Sequence, residues 1–255
     1  MSTKEAQQTR NFTPRSLQRL AAALLALCVL CLSNGAGRTL ASAQEGTPRP
    51  DSPFTRTPLQ QLIERERARL ALFDVEERRD AVQRLGAMAR PESSRAAAVA
   101  LRDSSAIVRA TAARAVLSLP ATEAQALLRP LLQDKDEFVR RETAYALGAI
   151  KVRAAVGPLV IVLARDKSAA VRGAAAVALG QIGSREAVPA LISVLANERA
   201  GDDVRREAAR ALGLIGDPSA VPALRAVLTA RDPYLSQIAH DALRKLDPAS
   251  AVRPT

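Results

Sequence analysis

The chain contains no tryptophan, and aromatic residues make up only 2% of its 255 positions. That scarcity argues against a single-stranded nucleic-acid platform, which needs ring faces for bases to stack on. There is one histidine, His240, and there are two cysteines, Cys28 and Cys31. A single imidazole without nearby thiolates is a poor basis for a transition-metal centre. The phrases GxGxxG, GxxxxGK[ST] and GxSxG are absent, so the usual phosphate cradles and the nucleophile elbow have no carrier here. No catalytic constellation emerges, and no metal or cofactor is expected. Long hydrophobic runs are also missing, with one exception: Leu20 to Leu32 is an unbroken apolar stretch of 13 residues. As a helix it would reach roughly 20 Å, short of the ~30 Å hydrocarbon core of a bilayer.

That run has the anatomy of a targeting segment. Lys4, Arg10, Arg15 and Arg19 precede it, and Ser33, Asn34 and Gly35 break it. Ala41-Ser42-Ala43 then supplies a small-x-small cleavage pattern, which predicts a cut between Ala43 and Gln44. Residues 1–43 are therefore expected to be a secretory signal peptide, and the protein to be exported, periplasmic or secreted. The alternative is an anchor retained in the membrane through residues 20–32. Leu27 and Leu30 stand before the two cysteines, where a lipoprotein signal needs a small residue. Both cysteines fall inside the segment, so the mature chain can form no disulfide. Its 212 residues suffice to bury a core without one. Losing Lys4, Arg10, Arg15, Arg19, Arg38 and Glu5 lowers the formal charge from +11 to +7. Residues 44–58 hold four prolines and no apolar periodicity, the composition of an extended linker.

Ordered structure is expected from about residue 59 to 250. Leu59, Leu62, Ile63, Leu70 and Phe73 share one helical face. Asp74 and Glu77 then form a candidate capping box for a second helix, Val75 to about Ala89. From there the chain repeats. The pairs Val108-Arg109, Val139-Arg140, Val171-Arg172 and Val204-Arg205 are spaced by 31, 32 and 33 residues. Eight residues after each Val stands an aliphatic core residue: Val116, Leu147, Leu179 and Leu212. A fixed period of this length is the signature of a stacked repeat protein. Each unit encodes two helices. Val204, Ala208, Ala211, Leu212 and Ile215 form one stripe; Gly216 stops that helix, and Asp217 or Ser219 can cap the next. Pro222 falls in the first turn of the second helix, where a missing N–H costs little.

The phrase VRxxAAxALGxIGxxxAVPALxxxL at 171–195 and 204–228, with looser copies at 108–132 and 139–163, resembles HEAT repeats. It resembles specifically the short kind found in phycocyanobilin lyase subunits. The resemblance spans about residues 75–247. It implies an all-α, right-handed α-solenoid of stacked antiparallel helix pairs, about five to six repeats closed by a C-terminal cap helix from Leu235 to about Leu246. The chain departs from the pattern in the insertion NERAGDD at 197–203, and at 151–154, which lack the Gly-Asp turn. In such families the recurring Asp and Arg positions cap helices and link neighbouring repeats. Asp103, Asp134, Asp166, Arg109, Arg140, Arg172 and Arg205 are accordingly expected to form a structural ladder. Each recurs once per layer, so they do not converge as catalytic carboxylates would. HEAT-repeat metalloenzymes of the deoxyhypusine hydroxylase type use His-Glu pairs, which this chain lacks. His240, on the polar final helix, reads as a solvated residue.

The Val-Arg helix resembles the one lining the concave face of such solenoids. Two residues after each Val the chain reads Ala110, Arg141, Gly173, Arg206; six residues after, Arg114, Tyr145, Val177, Arg210. An apolar strip of Tyr145 and Val177 edged by Arg114, Arg141, Arg206 and Arg210 suits a protein or peptide with acidic residues. The alternative is that Tyr145 packs on an adjacent repeat and the arginines are solvated. The expected function is a non-enzymatic, extracytoplasmic scaffold that binds a protein or peptide partner in this groove. Two further readings come from the resemblance: a chromophore lyase-type enzyme and a nucleic-acid-binding HEAT-like protein. Export from the cytoplasm argues against both.

Overall fold

Periodicity and turn chemistry resolve into twelve α-helices, with no strand among the described residues. The structure, a computed structural model, describes residues 56–246; the expected signal segment, the Ala43–Gln44 junction and most of the linker lie outside that span. In chain order the helices are α1 Pro58–Arg69, α2 Val75–Ala87, α3 Pro91–Ala97, α4 Ala106–Ala115, α5 Ala121–Leu128 and α6 Glu137–Ala149. They continue as α7 Val156–Arg165, α8 Ala169–Ile182, α9 Val188–Ala196, α10 Asp202–Ile215, α11 Val221–Ala226 and α12 Pro233–Leu246. Short 3-10 segments flank several of the odd-numbered helices, as at Ala98–Arg102 and Arg185–Ala187.

The boundaries follow from local chemistry. Thr57 accepts the N–H of Gln60 while the Gln60 side chain accepts that of Thr57, and Pro58 occupies the first turn of α1. Asp74 accepts the Glu77 N–H at 2.9 Å and so starts α2. Gly183 and Gly216 end α8 and α10 in the left-handed conformation, at φ 72° and 75°. Of the two candidate caps after Gly216, Asp217 takes the role, accepting the Ser219 N–H at 2.9 Å. Where the third unit lacks its glycine, Lys151 itself adopts φ 52°, a conformation that costs a side-chain-bearing residue about 1–2 kcal/mol.

One expectation is corrected. Phe73 does not share the buried face of the first helix. α1 stops at Arg69, the chain turns, and Phe73 lies fully exposed in the connection before Asp74. Leu59 is exposed as well, and the buried residues of α1 are Ile63 and Glu66.

Even-numbered helices stack in one row, and odd-numbered helices from α3 onward form a second row behind them, an α-solenoid of antiparallel pairs with right-handed progression. Members of the even row pack extensively on one another, whereas neighbours in the odd row barely touch. A stack spaced more tightly on one side curves toward that side, so the even row is the inner one. Except between α4 and α6, where Leu117 stands at the corresponding position, the tight spacing is built from glycine against alanine. A Cβ on Gly148 would lie 2.7 Å from Ala178 Cα, and one on Gly180 would lie 2.9 Å from Ala211 Cα. Gly86 on Ala115 and Gly213 on Ala242 repeat the contact. Between the rows runs one continuous core containing Leu85, Leu147, Leu179, Leu191, Leu195 and Leu212, all 0–1% exposed. Each such leucine contributes about 1.5–3 kcal/mol by leaving water.

Candidate functional site

Two constellations of polar side chains accompany the inner row, and they do different things. The first binds layer to layer. Arg109 donates through Nε and Nη2 to Asp134 at 2.8 Å each, and through Nη1 to the Asp103 and Ser104 carbonyls. Arg140 grips Asp166 the same way at 2.7 and 3.0 Å. Each arginine thus closes a fork on a carboxylate one repeat ahead while tying the loop before its own helix. Sequence reasoning missed the first rung, Arg78 on Asp103 at 2.7 and 2.9 Å, because Glu77 replaces the valine of the phrase. The separation of 25 or 26 residues between arginine and aspartate would have revealed it.

The electrostatics agree with the geometry. The Arg78 guanidinium, against the opposing pull of burial, holds Asp103 below its ordinary pKa. Burial alone would raise Asp134 and Asp166, but Arg109, Arg140 and main-chain N–H groups outweigh it, and both carboxyls are lowered. In α1, burial likewise works to raise Glu66, and Arg69 with Arg84 and Arg65 brings it below the usual range.

Beyond Arg140 the ladder changes. Among the described residues Arg172 has hydrogen bonds only to the carbonyls of Asp166, Lys167 and Ala200. Arg205 donates to the Leu195 carbonyl at 3.0 Å and lies 3.7 Å from Asp202. The rung to the last layer is made by Arg206, which forks onto Asp232 at 2.7 and 2.9 Å and stacks on the Tyr234 ring at 5.1 Å. Arg206, expected in the groove, therefore sits in the ladder, and Asp232 joins it. The offset from ladder aspartate to repeat aliphatic is five residues at Asp103–Val108 but three at Asp232–Leu235, which shifts the rung by one position.

The second constellation faces outward from the inner row. Arg114 and Arg210 are exposed, Tyr145 is 39% exposed, Arg141 and Val177 are half-buried, and Ala110 is buried. Arg141 lies over the Phe138 ring at 4.9 Å and 3.5 Å from Glu142, while Arg210 pairs with Glu207 at 3.1 Å. Arg114 has no ion-pair or hydrogen-bond partner among the described residues. Gly173 sits mid-helix with nothing within 4 Å of where a Cβ would stand. Glycine there costs about 1 kcal/mol of helix propensity relative to alanine and gains no packing.

The surface between these residues is concave in two adjoining places. A notch of about 380 Å³ is lined by Ala110, Thr111, Arg114, Leu117, Phe138 and Glu142, among others. A second, of about 520 Å³, is lined by Arg141, Glu142, Tyr145, Gly173, Asp203 and Glu207, among others. Sequence reasoning did not single out Phe138, Glu142 or Glu207. The column three residues after each valine (Thr111, Glu142, Ala174, Glu207) carries the two acids and would have found them. No group of three or more His, Cys, Asp or Glu side chains is placed to hold a metal ion among the described residues, and His240 is exposed on α12. No helix among them is long and apolar enough to cross a membrane.

The sequence pattern of the HEAT repeats family matches residues 94–161, 126–202 and 156–244, together more than half of the chain. No curated protein matches. Among solved structures, a designed armadillo repeat protein in complex with the peptide (KR)4 superposes with a TM-score of 0.55 at 22% identity, covering 75% of this chain and all of that one. The complex of CpcE and CpcF of phycocyanin lyase from Nostoc sp. PCC7120 gives 0.54 at 24% identity, covering 83% and 82%. A computationally designed armadillo repeat protein for modular peptide recognition gives 0.51 at 21% identity, covering 72% and 100%. At these identities the likeness is one of fold.

Proposed function

The chain belongs to the HEAT repeats family, and on that premise we propose that it is a non-enzymatic scaffold whose inner helix row holds an extended segment of another protein. The observation that carries this reading is the pair of adjoining notches around Phe138 and Tyr145, with Tyr145 exposed beside the side-chain-free Gly173. An exposed ring on a concave face, bordered by hydrogen-bonding groups, suits an apolar side chain of a partner. Designed armadillo proteins of similar fold are built for peptide recognition, which supports the choice of ligand class.

The charges sharpen the partner. Arg141 and Arg210 each have an acidic neighbour, and Arg206 is committed to Asp232 and Asp203. Arg114 remains, and it places one acidic residue of the partner against α4, with an apolar residue one layer on against Tyr145. A uniformly acidic segment would meet Glu142, Asp203 and Glu207 and be repelled. The signal-like pattern of residues 1–43 supports a location outside the cytoplasm, which N-terminal sequencing of protein from the cell envelope would test by finding Gln44 first.

The groove is tested with Tyr145→Ala combined with Arg114→Glu. Partner captured from the envelope fraction falls at least tenfold relative to the wild-type chain, which corresponds to about 1.4 kcal/mol. Thermal stability stays unchanged, since both side chains lie outside the core. Undiminished capture removes the groove as the binding site.

A further inference from the structure

The ladder lacks one carboxylate, and the place where it belongs is open. Asp103, Asp134 and Asp166 each accept the N–H two residues on, from Ser105, Asp136 and Ser168, at 2.8, 2.9 and 2.9 Å. Residue 197 repeats that local turn: Asn197 Oδ1 accepts the Arg199 N–H at 3.0 Å. It also stands 25 residues after Arg172, the separation found in the first two rungs. Asparagine presents an NH2 group where aspartate presents Oδ2, and a donor cannot receive the arginine Nε.

Arg172 keeps the Nη1 contacts of the complete rungs and turns only Nη2 to a new main-chain oxygen. Nη1 bonds the Asp166 and Lys167 carbonyls, and Nη2 bonds Ala200 O at 3.1 Å. Nε, which meets a carboxylate oxygen in every complete rung, has no partner among the described residues. Beside it a notch of about 410 Å³ opens, lined by Arg172, Ser193, Asn197, Arg199 and Ala200, among others. Asp166 also borders it, but its two oxygens are engaged by Arg140 and the Ser168 N–H.

We propose that this notch is a carboxylate-binding site, in which a ligand carboxylate meets the Arg172 Nε that no side-chain carboxylate reaches. Nε of Arg172 supplies the vacated half of the fork, Nη2 is shared with Ala200 O, and the Asn197 amide and the Arg199 guanidinium complete a ring of donors. The chemistry admits two sources, a free organic acid or an acidic side chain of a bound polypeptide. The site lies at the loop edge between α8, α9 and α10 and does not depend on the groove reading.

Titration calorimetry of the full chain with succinate, and separately with a short blocked peptide containing one glutamate, tests the proposal. Saturable binding of either probe supports it, and which probe binds assigns the source. Asn197→Asp completes the rung internally: affinity falls at least tenfold, and the unfolding midpoint rises by roughly 3–10 °C. Arg172→Gln, as a second variant, loses binding without that rise. No binding of either probe to the wild-type chain, or equal binding by Asn197→Asp, overturns it.

Discussion

Asp166→Ala removes the carboxylate from the Arg140 rung, where both side chains are only 7% exposed. The guanidinium stays in place, held by the Asp134 and Lys135 carbonyls at 2.9 and 3.3 Å, with half of its fork facing nothing. Breaking a buried pair from one side costs about 3–5 kcal/mol. The Ser168 N–H also loses its acceptor, and a lost hydrogen bond costs about 1 kcal/mol. A destabilisation of about 4–6 kcal/mol is therefore expected, or about 8–24 °C in the midpoint of a domain this size. The control is Glu123→Ala. Arg95 forks onto Glu123 with similar distances, 3.0 and 2.9 Å, but at 52% and 36% side-chain exposure. Water screens that pair, and its loss costs far less than that of the buried rung. Urea unfolding followed by far-UV circular dichroism reads both variants. Replacing the rung as a whole, with Arg140→Met and Asp166→Leu, recovers much of the loss, because no charge is then left buried alone. If Asp166→Ala and Glu123→Ala cost the same, burial is not what gives the ladder its strength.

Two glycines predict opposite outcomes for one chemical change. Gly180→Ala pushes a methyl to 2.9 Å from Ala211 Cα and destabilises by about 1–3 kcal/mol, whereas Gly173→Ala meets open space and stabilises by about 0.5–1 kcal/mol, both read by thermal melts. Like signs would refute the close-approach account of the inner row. Acid is the other lever. Asp103, Asp134, Asp166 and Asp232 all have lowered pKa values in the folded chain, so their contribution is fully present above the ordinary aspartate value. It is lost as pH falls through about 4 toward the folded values. The urea midpoint should be level from about pH 7 to 5 and drop below about pH 4; a level profile to about pH 3 would contradict the ladder.

The repeat was legible because its signals are local. Val171 and Val204 open near-identical phrases, and Gly183 and Gly216 end helices in both sequence logic and structure. Phe73 was misplaced because an apolar spacing continues past Arg69, while the helix ends where Asp74 can cap the next one. The ladder was half visible. Aspartates and arginines recur in phase, yet their partnership crosses a whole repeat, and a two-residue change in connection length sufficed to pass the rung from Arg205 to Arg206. The groove was least visible. Its column of exposed positions could be read from the valine frame, but the neutralising acids Glu142 and Glu207 come from a different column, which only the helix surface brings alongside.

Glycine resting on alanine makes the inner row a ruler. Its pitch is fixed by main chain meeting main chain, so swapping the residues displayed on one layer leaves the next layer where it was. A guest polypeptide must match that graduation to reach Tyr145 and Val177 together; one whose side chains fall out of step can engage a single mark and no more.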